Sequence, residues 1–268
     1  MRKIIRSISF AFAGFLMLGV VTASGQIGIS FHDGAGPGAN PPIAPIGPGE
    51  TAGFAGYAQA NWNVVGGASG SELALVDASG APTLTTMTFS ADAVWGRGDV
   101  PDTPDGRLMT AWLDGRGTDP TTVQFNNISY ATYSIVLYSH GPGDLLRGRE
   151  VTLVDPTDDS VIEGSYFFRD PEDQGSNFFD GTFVQAALST EEDVNEMEVG
   201  NVWIIEGLTN PNVRLVMDAI GQEGLPNQRY NINAIQVIPE PSTYALIAGF
   251  LGLMATVIIR RARRKTVS

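Results

Sequence analysis

The chain of 268 residues carries 29 Asp and Glu against 16 Lys and Arg, with two His and no Cys. Eight of the cations lie at the two ends, so residues 26–238 hold eight Arg against 28 acids, a net charge of −20. A field of that sign argues against nucleic acid as a partner, and the absent thiols exclude disulfides, thiolate zinc sites, iron–sulfur clusters and Cys nucleophiles.

At the N-terminus, Arg2, Lys3 and Arg6 precede an apolar run from Phe10 to Val21, followed by the small residues Ala23, Ser24 and Gly25. This layout predicts a secretory signal peptide over 1–25, cut after Ala23 or after Gly25. Twelve apolar residues are few for a bilayer span, so the mature protein is expected outside the cytoplasm. From Ile27 to Gly56 the sequence is dense in Gly and Pro and reads as an extended lead-in or ordered loop.

Short alternating or β-branched segments then follow, at 72–77, 83–95, 107–115, 121–128, 132–140, 149–155, 161–168, 181–188, 201–208, 212–219 and 232–238. Turn clusters such as DASGAP, DPTDDS and DPEDQGSN separate them. Eleven candidate strands without a sustained helical stripe predict an all-β fold, a single antiparallel β-sandwich or jelly roll over 26–238. NVWIIEGL (201–208) and TYSIVLYSH (132–140) are apolar on both faces, which predicts strands inside a sheet. The acidic stretch 189–201 could carry one helical turn, capped by Ser189 or Thr190.

Candidate chemistry is sparse. His32 and His140 each stand beside turn residues, and neither a G-x-S-x-G elbow nor an H-E-x-x-H pair occurs. With 28 acids in the segment, some pair at glycosidase spacing is inevitable and therefore uninformative. No catalytic residue is assigned, and a non-enzymatic protein is expected. GDVPDTPDGR spaces Asp99, Asp102 and Asp105 three apart before a Gly, a composition that could supply oxygens to calcium. LDGRGTDP and DPTDDS are similar in kind. Trp62, Trp95 and Trp112 are candidate platforms for a sugar, whereas Trp203 reads as core.

The C-terminal tail has three zones. Pro239-Glu240-Pro241 predicts a stiff, extended tripeptide that joins neither the last strand nor a helix and stays open to proteases. Ser242–Ile259 is uncharged over 18 residues, enough for about 27 Å of helix and a single bilayer span. Arg260, Arg261, Arg263, Arg264 and Lys265 follow, a cluster that stays on the cytoplasmic side. With a cleaved signal in front, the domain lies outside and the last residues inside.

Pro239, Glu240, Pro241 and Ser242, the apolar run and RRARRK together resemble the PEP-CTERM sorting signal of Gram-negative bacteria, here 239–265. The resemblance implies an exosortase-like membrane peptidase as partner and an inner-membrane precursor. It also implies a mature form at the cell surface or outside the cell, associated with exopolysaccharide and biofilm matrix. The segments AQANWNVVGG, GRLMTAWLDG and YSIVLYSHGPGD are similar to β-sandwich domains that often precede this tail. No defined activity comes with that similarity. Export through the tail without a catalytic constellation leads to the expectation of a structural or adhesive protein, or alternatively a carbohydrate-binding module that uses the Trp platforms on extracellular polysaccharide.

Overall fold

A computed structural model describes residues 25–32, 42–116, 119–140, 148–169, 179–193, 195–220 and 229–240. The signal segment before Gly25, the tail residues Pro241 and Ser242, the apolar run 242–259 and the basic cluster 260–265 lie outside the described residues. The fold is all-β and mostly antiparallel. One sheet runs in the order β11 (Val202–Leu208), β8 (Tyr133–Tyr138), β14 (Ala234–Pro239), β1 (Ile27–Phe31) and β2 (Asn63–Val65). A second runs β10 (Val161–Arg169), β9 (Gly148–Val154), β12 (Val213–Ile220), β7 (Thr121–Asn126), β4 (Pro82–Ser90) and β3 (Ser69–Val76). A third, smaller sheet is formed by β13 (Arg229–Ile232), β6 (Ala111–Arg116) and β5 (Ala93–Gly96).

Alternation in the sequence decides which faces meet. Ile27, Ile29, Ile135, Leu137, Trp203, Ile235 and Val237 project from the five-stranded sheet onto Met87, Phe89, Val123, Phe125, Val151, Leu153 and Leu215 of the six-stranded sheet. The contact is sandwich-like, with Phe31 and Phe89 rings 5.6 Å apart and Phe168 and Trp203 rings 4.5 Å apart. On the outer face of the six-stranded sheet the intervening residues are polar, as Glu72, Thr86 and Thr88 show by bonding one another across β3 and β4. Half-wet antiparallel sheets have this pattern.

The five-stranded sheet is covered on its second face as well. Val136, Tyr138, Val202 and Ala234 meet Ile46, Ala52, Trp62, Leu108 and Met109, which come from the 42–62 segment and the single described helix, α1 (Pro104–Met109). Gly28 makes this approach feasible, because a Cβ there would come within 2.7 Å of Gln59 and Trp62. This second cover explains why β8 is buried at every position.

Several expectations change. The lead-in contains a buried strand, β1, and 83–95 divides into β4 and β5 of different sheets. Segment 107–115 becomes the end of α1 plus β6, and 181–188 forms only an isolated bridge at Gln185. The described residues of 189–201 contain no helix: Ser189 Oγ accepts from the Glu191 N–H at 2.9 Å and Asp193 Oδ1 from the Asn195 N–H at 2.9 Å, which makes turns. The helix lies instead in the Asp-rich loop, where Thr103 caps it from 3.2 Å and Pro104 opens it. Finally, β11 stands at the sheet edge; its two apolar faces arise because residues 184–186 run along that edge, Ala186 N–H donating to the Val202 carbonyl at 3.0 Å.

Candidate functional site

The junction between domain and tail is the most constrained of the candidate sites. β14 continues through Pro239, which stands opposite Tyr133 of β8. Glu240 follows in register, its N–H donating to the Thr132 carbonyl at 3.0 Å. The expected free tripeptide is therefore corrected in part: Pro239 is the last residue of β14, and Glu240, just beyond the strand, is hydrogen-bonded to Thr132. The reason lies in the ladder. Successive residues of an antiparallel strand turn their N–H groups to opposite neighbours, so with Glu240 bonded to β8 the Pro239 nitrogen faces the β1 side. β1 pairs no further than Ile27 with Val237, so the missing N–H of proline costs no ladder bond.

The Glu240 carboxylate crosses over β8. One oxygen, Oε1, accepts from Ser134 Oγ at 2.7 Å and from the Gly207 N–H at 2.8 Å. Gly207 occupies a positive φ of 79° where the β11–β8 register shifts between Ile205 and Leu208. Such a bulge leaves an amide without a ladder partner, and Glu240 supplies one. A single side chain thus ties β14, β8 and β11 together.

The N-terminal boundary is held in a comparable way. Asp77 Oδ2 accepts from the Gly25 N–H at 3.2 Å, while Oδ1 accepts from Ser79 Oγ at 2.5 Å, Ser79 N–H at 2.8 Å and Ala81 N–H at 3.1 Å. Burial alone would raise its pKa; the Ser79 hydroxyl and the three N–H donors outweigh it and hold the carboxyl below its ordinary range. Tyr130 Oη donates to the Gly25 carbonyl at 2.7 Å.

The three Asp of the proposed calcium loop are kept apart. Asp99 pairs with Arg97 through two bonds of 2.7 and 3.1 Å, Asp102 with Arg107 Nε at 2.8 Å, and Asp105 accepts from the Gly53 N–H at 2.9 Å. Asp155 and Asp158 of DPTDDS each cap a turn, accepting from Thr157 and Ser160 N–H groups. Among the described residues no three His, Asp or Glu side chains are grouped to hold a metal ion.

Of the candidate platforms, Trp62 is only 7% exposed and Trp112 only 3%. Trp62 donates from Nε1 to the Gln59 carbonyl at 3.1 Å and meets the Tyr138 ring edge-on. Trp203, fully buried, is core as expected. Trp95 is half-buried and stands opposite Trp112 across β5 and β6. The Arg116 and Arg229 guanidiniums lie 4.9 and 5.4 Å from its ring centroid. Asp114, whose side chain is 2% exposed, holds Arg116 at 2.7 Å and lies 3.9 Å from Arg229, so two cations compensate one buried carboxylate. Both histidines are buried: His32 Nε2 lies 2.8 Å from the Ile43 carbonyl, and the His140 backbone N–H donates to Asn233 Oδ1 at 2.6 Å.

A cleft of about 510 Å³ opens beside Trp62, walled by Pro45, Pro48, Val64 and Val76, with Asn61 as its polar group. Its volume is in the range of small-ligand sites. Sequence reasoning marked Trp62 but not the prolines that make the concavity.

None of the known family models matches the protein, and no curated protein sequence matches it. Among solved structures it is similar to an isomalto-dextranase of Arthrobacter globiformis T6 complexed with panose, at 15% identity and a TM-score of 0.25. The match covers 58% of this protein and 22% of that one. So slight a likeness bears no functional argument.

Proposed function

We propose that this is an exported cell-surface or extracellular-matrix protein, structural or adhesive rather than enzymatic. In this reading a signal peptide delivers it, a single β-sandwich forms the ectodomain, and an exosortase-like membrane peptidase sorts it through the PEP-CTERM-like tail. The observation that supports this is where the backbone enters and leaves the fold. β1 and β14 are antiparallel neighbours, Ile27 opposite Val237, so Gly25 and Glu240 emerge at the same end of the molecule. Tyr130 and Thr132, in the β7–β8 connection, contact both. Two flanking apolar segments can therefore reach one membrane surface while the domain is folded. Expression of the full-length protein with and without an exosortase-like peptidase tests the reading. Precursor should accumulate in the membrane fraction when the peptidase is absent, and a product without the tail should appear outside the cell when it is present; an identical distribution in both would contradict it.

The Trp62 cleft favours a second reading, a carbohydrate-binding module for extracellular polysaccharide. Trp62→Ala is a poor probe, since that ring is core packing. Val64, 40% exposed on the cleft wall, is better. Glycan-array binding that Val64→Arg abolishes would support the module, and an empty array would remove it.

A further inference from the structure

We propose that Glu240 is a permanent residue of the folded domain, and that processing of the tail cuts beyond it, on its C-terminal side. The proposal rests on the sorting reading above but adds where the domain must end. Proteolysis needs several residues of unpaired, extended backbone. Through Glu240 the backbone is not unpaired: Pro239 is in the β14–β8 register and the Glu240 N–H is bonded to Thr132. A cut before Glu240 would also strand two partners, the Ser134 hydroxyl, on a residue 4% exposed, and the bulge amide of Gly207. The Gly207 amide is exposed and would turn to water, but the buried Ser134 hydroxyl left unmet is costly, so the sheet end resists being peeled open. In the cleavage itself, water adds to the scissile carbonyl carbon and the C–N bond breaks. The nitrogen leaves with a proton as the new amine of the tail, and the domain keeps the carboxylate.

A second boundary follows from independent contacts. Gly25 is bonded through both its N–H and its carbonyl, to Asp77 and to Tyr130. Of the two cleavage sites that small residues allow, the one after Ala23 keeps this residue and the one after Gly25 discards it. The geometry points to the first, and to a mature protein that starts at Ser24.

Intact-mass and terminal-peptide analysis of exported material, produced from the full-length protein, tests both. The expected product starts at Ser24 and still contains Glu240. A product ending at Pro239 or earlier overturns the first proposal while leaving the sorting reading in place; a start at Gln26 overturns the second. Exported material carrying the tail through Ser268 overturns the cut and the sorting reading together. The clasp has its own readout in the full-length protein in detergent micelles. Glu240→Ala should speed hydrogen exchange at the Gly207 amide at least tenfold, and Ser134→Ala, which leaves the tripeptide intact, should speed it less. Unchanged exchange in Glu240→Ala overturns the clasp.

Discussion

Asp77 owes its importance to four donors converging on one carboxylate, among them the first described backbone N–H of the protein. Asp77→Asn is expected to destabilise the domain by about 1–2 kcal/mol at neutral pH, read as a lower denaturation midpoint. Because the folded-state pKa is depressed, the stabilisation is complete above the unfolded value of about 3.9 and is lost as pH falls through the lower folded value. The gap between wild type and variant should therefore be constant from pH 7 to about pH 5 and close only below about pH 4. Gly115 illustrates a different constraint, invisible in sequence. A Cβ there would lie 1.9 Å from the Tyr230 ring, whose hydroxyl accepts from the Thr121 N–H and donates to the Asp119 carbonyl. Gly115→Ala should cost roughly 3 kcal/mol or more, since neither ring nor strand can retreat. The Asp99–Asp102–Asp105 spacing, by contrast, is legible in the sequence, whereas the partner of each carboxylate, its own arginine or a backbone amide, is not. Added calcium should leave the melting temperature unchanged; a rise abolished by Asp102→Asn would contradict this.

At the scale of elements, alternation identified most of the strands, and it failed where covalent neighbours part company. Segment 83–95 looks continuous, yet β4 joins the six-stranded sheet and β5 the smallest one. Helix α1 is hidden because its first half lies in the Asp- and Pro-rich stretch that suggests calcium ligands and its second half opens the apparent strand at 107–115. The Thr103-Pro104-Asp105 run carried the helix-start signature all the same: cap, proline at the first position and an acid in the first turn. Thr103→Ala should lower stability by about 1 kcal/mol, visible in denaturant melts. A smaller shift would mean that packing of Leu108 and Met109, rather than the cap, holds the helix. Pro239 enters the ladder against expectation for a specific reason. Proline is excluded from a ladder only where its nitrogen faces a partner, and no sequence pattern reveals which side of β14 is open at that position.

For the whole molecule, the sheet order was beyond reach of the sequence. In the five-stranded sheet only β1 and β2 are both adjacent in space and consecutive in sequence, so pairing there is set by contacts between distant segments. Those pairings place Gly25 beside the Asp77 turn and Glu240 beside the β7–β8 connection, and they send the strand ends at His32, His140, Arg169 and Ile220 to the opposite pole. A tethered molecule would then present that far pole to its surroundings. The acidic, cysteine-free composition suits an exported surface and also provides a clean probe, since any introduced thiol is unique. The most direct measurement is labelling of single-cysteine variants of the full-length precursor with a membrane-impermeant thiol reagent in cells whose outer membrane has been permeabilised. Leu84→Cys, at a side chain 79% exposed on the domain, should label readily, whereas Ser268→Cys should label only after lysis. Labelling of Ser268→Cys from outside, with Leu84→Cys protected, would contradict the proposed orientation.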